Sequence, residues 1–328
     1  MISDRRYQVW IPSKAFLLGE HSVLQGSSAL VTSAPGMEFS LEAWGPWERK
    51  VSPEFPFHPQ SPAGKLIQWA VGENHMTCPK HWEWIDPYQG AGGMGGSTAE
   101  FAGVYRILSA KHPIRATWQG AWSLYRELTQ NQYSGADLVA QWSGGTIEFR
   151  MDAPWPQVQP ILPPEQPDPM RFLRWIPPVG FNKSVIWFHP SGVFGRKVNT
   201  HEVLKNKDSQ IALPVEQISA WVQQAGEALK QNQPRVFAEA VENFANCLAE
   251  KGLEHPDTTL DRTELKKIPG VLAVKGCGAM MADLLLVIVE PENERARSAV
   301  IEWTMDERDF RIFDSRLEGL MGIDLRVR

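Results

Sequence analysis

The chain has 328 residues, 43% hydrophobic and 22% charged, an ordinary balance for one large or two smaller globular domains. A net charge of −5 offers no basic face, so a nucleic-acid partner is not expected, and any anionic ligand must be held by local groups. Cys78, Cys247 and Cys277 are far apart and lack zinc spacing, which argues against a disulfide framework. No apolar run approaches the roughly 18 residues that cross a bilayer. The expectation is a cytoplasmic protein with no membrane partner.

Residues 7–11 (YQVWI) read as a short strand stopped by Pro12. Residues 13–26 are rich in turn formers around an apolar patch. ALVTSA and EFSLEAW read as strands joined by a turn at Pro35-Gly36, and the proline-rich residues 45–65 as loop. After a glycine-rich run at 90–96, Ala99, Ala102, Tyr105 and Leu108 recur at helical spacing. Residues 122–129 and ADLVAQW read as helices, and TIEFR as a strand. Seven prolines between 154 and 169 exclude a helix or a central strand and predict a surface excursion. KSVIWFH at 183–189 reads as a strand.

Two helical stripes follow, one on Ile218, Trp221, Val222, Ala225 and Leu229, the other on Phe237, Val241, Phe244 and Leu248. VLAVKG and DLLLVIV then read as strands around a short glycine loop, with a helix near 292–303 and strand character in RIFD and GIDLRVR. This irregular interleaving predicts an α+β fold rather than a doubly wound sheet.

Three segments carry chemistry. GAGGMGG at 90–96 has five glycines in seven residues and leads into a helix. Glycines let a backbone approach phosphate oxygens, and the helix start adds N–H groups and a positive dipole end. The glycine spacing is neither that of a P-loop nor that of a dinucleotide-binding fingerprint. Ser97-Thr98-Ala99-Glu100 also reads as a capping box, which accounts for the Ser and the Glu but not for the glycines. The second segment, PSKAFLLGEHSVLQG, gathers Lys14, Glu20 and His21 among apolar residues. In the third, SGADLVAQWSGG, Asp137 opens a mostly apolar helix, where a carboxylate is also favoured by the dipole alone.

In this order the three segments resemble the motifs of the GHMP kinases, the superfamily of galactokinase, homoserine kinase, mevalonate kinase and phosphomevalonate kinase. GEHSVLQG looks closest to the mevalonate and phosphomevalonate branch. GAGGMGGSTAEF looks like the phosphate-loop motif PxxxGLGSSAA, and VLAVKGCGAMMADLLLVIV stands where a C-terminal glycine-rich motif belongs. The resemblance runs from about residue 7 to about 290. It implies a two-domain GHMP kinase fold: an N-terminal ATP-binding domain like domain 2 of ribosomal protein S5 (1–190) and a ferredoxin-like C-terminal domain (191–328).

The resemblance also implies ATP, Mg2+ and a small-molecule acceptor, mevalonate or phosphomevalonate, and is compatible with a homodimer. Asp137 would be the base, and Lys14 would hold it ionised and stabilise charge on the transferring group. Gly92, Gly93, Met94, Gly95, Gly96, Ser97 and Thr98 would hold phosphate, with Ser97 a Mg2+ ligand. Glu127 is the nearest match to the acidic metal ligand, one residue short in spacing. Glu20, His21, Gly276 and Gly278 would face the acceptor. The chain departs from the family pattern at Gly96 and Thr98, and most of all at Ala279-Met280-Met281, where glycines are usual. A GHMP-fold protein that binds without catalysis is the alternative.

Overall fold

The strands follow from which faces they bury. In β1 (Tyr7–Ile11) burial alternates, with Tyr7, Val9 and Ile11 inside, the pattern of a strand with one covered face. In β2 (Lys14–Leu18) all five residues are buried, as are all six in β3 (Ser28–Ser33). Runs of this kind belong to strands covered on both faces. The computed structural model describes residues 5–33, 38–88, 93–152, 154–162, 185–190, 211–277, 284–291, 293–306, 310–314 and 324–327. The expected Pro35-Gly36 turn and the Ala279-Met280-Met281 segment lie outside them.

The remaining strands are β4 (Phe39–Glu48), β5 (Cys78–Ile85), β6 (Thr146–Arg150), β7 (Gln157–Leu162), β8 (Val185–Pro190), β9 (Val271–Cys277), β10 (Leu284–Val289), β11 (Phe310–Asp314) and β12 (Asp324–Val327). They form three antiparallel sheets, ordered β12-β1-β4-β5, β2-β3-β6-β7 and β11-β8-β10-β9. Sheet membership does not follow chain order: β12 pairs with β1, Val9 opposite Leu325, and β8 pairs with β10 and β11. The division at residue 190 therefore has strand pairing across it.

The helices are α1 (Pro62–Gln68), α2 (Gly96–Ser109), α3 (Trp118–Leu128), α4 (Ala136–Ser143), α5 (Val215–Lys230), α6 (Pro234–Glu250), α7 (Pro256–Leu265) and α8 (Glu294–Asp306). α2 lies on β1 and β4, α5 on β3 and β7, and α6 on β9 and β2. One large core joins them, from Val9, Leu17 and Phe101 to Val222, Phe244 and Leu286. Leu285, Val287 and Val289 of β10 face a separate cluster with Val274 and Val300, so that strand too is apolar throughout.

Three sequence expectations change. The expected loop at 45–65 gives its first four residues to β4 and its last four to α1. Residues 14–18, read as part of a turn-rich segment, form β2, because α4, α6 and β9 cover them. The proline excursion is interrupted by β7, an edge strand in which Pro160 stands opposite Ile147 and Ile161 is buried. Proline is tolerated there because an edge strand has one side free of ladder bonds.

The α6–α7 contact is held by a buried cation. Arg262 donates to Glu254 at 2.9 and 3.1 Å, to Asn246 Oδ1 at 2.7 Å and to Glu242 at 3.3 Å. Removing it would leave the Glu254 carboxylate buried without its cation. Arg262→Met is expected to cost about 3–5 kcal/mol of stability, read from urea unfolding.

Candidate active site

The three sequence segments meet at Gly95. This residue adopts φ 84°, and a Cβ there would sit 2.8 Å from Lys14 Cγ and 2.9 Å from Gln141 Nε2. Both the left-handed backbone and the close packing demand glycine. The Lys14 amide donates to the Met94 carbonyl at 3.0 Å. The Gln141 side-chain amide donates to Pro12 O at 2.9 Å and to Gly95 O at 3.1 Å. One buried glutamine on α4 thus ties the β1–β2 connection to the glycine loop.

The loop then opens α2 without a side-chain cap. Gly95 is the N-cap, no side chain accepts from the first turn there, and Thr98 Oγ1 donates back to Gly95 O at 2.9 Å. The expected capping box is therefore not formed: the helix begins at Gly96, so Ser97 lies inside the first turn, where its side chain is exposed. Gly93 has φ 86°. Gly92 lies outside the described residues. Glu100 stands beside Asp86, and burial, then the Asp86 charge, push its carboxyl up to about 7.

Asp137 lies in the first turn of α4. Gly135 caps this helix at φ 72°, where a Cβ would meet Trp122 Cδ1 at 2.8 Å. Trp122 Nε1 in turn donates to Ser134 O at 2.8 Å, fixing the approach to the helix. Asp137 is half-buried, and its charge acts on the Lys14 ammonium. Lys14 is almost fully buried, with its ammonium over the Phe16 ring at 4.9 Å. Burial lowers its pKa, and the charges of Asp137 and Glu20 oppose that shift.

Glu20 is buried, and its Oε1 forms an ion pair with Lys275 of β9, 255 residues away in sequence. Lys275 is wholly buried and also donates to Gly276 O at 2.8 Å and to Phe16 O at 3.4 Å. Burial pushes the Glu20 carboxyl up and works to lower the lysine, but Cys277 and Glu20 raise the ammonium above its usual value. Three oxygen acceptors around one ammonium, with Cys277 Sγ a fourth partner at 3.7 Å, favour the charged pair. His21 has φ 65° and is held near 4 by burial and the Lys275 charge, so its imidazole is neutral at physiological pH. Cys277 is buried, and burial pushes its thiol up to about 11.

The sequence reading did not single out Lys275. The signal was a lone lysine between apolar residues in VLAVKGC, a strand with no obvious polar face. Glu127 is exposed at the end of α3 and is not among the groups whose charges act on Lys14. Gly276 is the next-to-last residue of β9, and Gly278 lies outside the described residues. Among the described residues, no group of three or more His, Cys, Asp or Glu side chains could hold a metal ion by itself. Within the same residues, no helix is long and apolar enough to cross a membrane.

No protein-family model and no curated protein sequence matches the chain. Solved structures do match. The mevalonate kinase of Methanococcus jannaschii superposes with a TM-score of 0.66 at 16% identity, over 96% of this chain and 98% of the other. The fold is that of the GHMP kinases. The phosphomevalonate kinase of Streptococcus pneumoniae gives a TM-score of 0.67 at 12% identity, over 94% of this chain and 98% of its own. The galactokinase of Lactococcus lactis, solved with galactose, gives 0.63 at 14%, over 99% and 95%. The GHMP kinase fold expected from the motifs is thus present over nearly the whole chain, and such neighbours differ in the acceptors their names carry.

Two outcomes test this geometry. Gly95→Ala is expected to lose about 1–3 kcal/mol in urea unfolding, because it is strained at its φ and collides with Lys14 and Gln141. For Glu100, the folded pKa near 7 exceeds the unfolded value, so the folded state holds an extra proton between about pH 4.5 and 7. Stability then falls as pH rises through that window. Glu100→Gln is expected to gain up to about 2 kcal/mol at pH 8 and much less at pH 5, measured by unfolding at both.

Proposed function

We propose that the chain is an ATP-dependent kinase that transfers the γ-phosphoryl group to a small hydroxyl-bearing metabolite, mevalonate first among the candidates. The observation that carries this reading is the convergence at Gly95 of an uncapped helix start, a buried lysine and the helix that holds Asp137. The fold shared with mevalonate, phosphomevalonate and galactose kinases supports it.

In this reading Gly93, Met94, Gly95 and Gly96 lay the loop backbone along the phosphates. The first-turn amides of α2, those of Ser97 and Thr98 among them, and the exposed Ser97 hydroxyl face the negative charge. The Lys14 ammonium lies in a largely water-excluded place, where its charge acts strongly on the group in transfer. Asp137 accepts or orients the proton of the attacking hydroxyl. The oxygen–phosphorus bond to the acceptor forms as the bond to the ADP oxygen breaks.

Mg2+ fits the hard oxygen donors present: the Ser97 hydroxyl is exposed in the first turn of α2, and the Asp137 carboxylate stands at the other side of the Gln141 link. Ser97 would hold the ion together with nucleotide oxygens, with Glu127 as a further proposed ligand. When bound, the ion supplies neutralisation of phosphate charge. Glu20 and His21 belong to the acceptor side, the latter as a neutral group.

ADP release with MgATP, measured separately with mevalonate, phosphomevalonate, homoserine and galactose, tests the reading. Turnover with at least one of them is expected. Asp137→Asn should cut kcat by about a hundredfold or more while the KM for ATP stays near wild type. A mutant with wild-type kcat removes Asp137 from the reaction, and wild-type protein that turns over none of the four refutes the kinase assignment to this substrate group.

A further inference from the structure

A second buried cation stands in the same charge cluster as Lys14 and Asp137. Lys275 has no solvent exposure, and its ammonium donates to Glu20 Oε1, Phe16 O and Gly276 O, with Cys277 Sγ as a further acceptor at 3.7 Å. An ammonium has three N–H groups. All three have protein acceptors, so none is left for a phosphate or carboxylate of a ligand.

The complementary observation is on Glu20. Its second oxygen, Oε2, is buried and has no hydrogen-bond partner among the described residues. An ionised carboxylate oxygen buried without a donor is costly, so this position calls for one. Glu20 follows β2 by two residues, and its charge acts on Lys14 alongside that of Asp137.

We propose that Lys275 is a positioning residue for the acceptor: it fixes Glu20 through Oε1 and leaves Oε2 to accept a hydrogen bond from a hydroxyl of the molecule to be phosphorylated. This rests on the kinase reading and narrows it. At this point the site selects a neutral hydroxyl and disfavours a phosphate or carboxylate, which would meet the Glu20 charge with no free N–H from Lys275.

The test is steady-state kinetics of Lys275→Met, Lys275→Arg, Glu20→Gln and the double variant E20Q/K275M. MgATP is paired with whichever of the four acceptors the wild type turns over. Lys275→Met and Glu20→Gln should each raise the acceptor KM about tenfold to a hundredfold, with the ATP KM within about twofold. The double variant should be no worse than the poorer single one, because both act through one oxygen, and Lys275→Arg should recover part of the loss. Lys275→Met strands a buried carboxylate. If it does not fold, the uncharged double variant carries the test: a raised acceptor KM upholds the proposal. Multiplicative losses, an equal rise in ATP KM, or a wild-type acceptor KM with lowered thermal stability alone would show a merely structural lysine. If the wild type turns over none of the four acceptors, the kinase reading fails and this inference goes with it. If the wild type turns one over and the variants keep its KM, the inference alone fails.

Discussion

The space where a Cβ of residue 95 would be is filled by the stem of Lys14 and the amide of Gln141. That contact decides the rest of the site. Because residue 95 is glycine, the loop carbonyl can reach Gln141 and the loop amides can turn into α2 with no side-chain cap over them. Because Gln141 also holds Pro12 O, β2 is pinned against the loop and Lys14 is carried into the interior. Helix α4, which supplies Gln141, holds Asp137 one turn earlier. One close approach thus fixes the relative places of the glycine loop, a buried lysine and a carboxylate.

Two lysines meet burial here with opposite results. Both lose water, which penalises the charged form. Lys275 has an ion pair and two carbonyls in contact, and its ammonium is held more firmly than in water. Lys14 is helped by the charges of Asp137 and Glu20, but burial outweighs them and its pKa falls. The first behaves as a structural cation whose bonds are all made. The second has through-space help from those carboxylates in a largely water-excluded place, where a charge acts strongly on a developing negative group.

Much of the fold could be read from local pattern. The alternation of Tyr7, Val9 and Ile11, the stripes on α5 and α6, and the apolar run of β10 reported their elements because burial there follows sequence period. β2 was hidden because Lys14 is flanked by turn formers, and only cover from α4, α6 and β9 makes it a strand. The capping box misled for a local reason. Serine and glutamate three apart fit the rule, but left-handed Gly95 starts the helix earlier and moves Ser97 inside it. The residue types of the candidate site were legible as three motifs. The Glu20–Lys275 pair was not, since nothing local marks two residues 255 apart as partners.

The pairing of β1 with β12 bears on how the chain must be assembled. β1 has β4 on one side and β12 on the other, and residues 324–327 complete its ladder. During synthesis β1 emerges long before its partner. Until then one row of its N–H and C=O groups faces outward, ready to be matched by a strand from another molecule. Such distant pairing also slows closure, since a long loop must be ordered first. A product truncated before Asp324 would keep that edge open permanently, so aggregation is the failure the fold invites when β12 is missing.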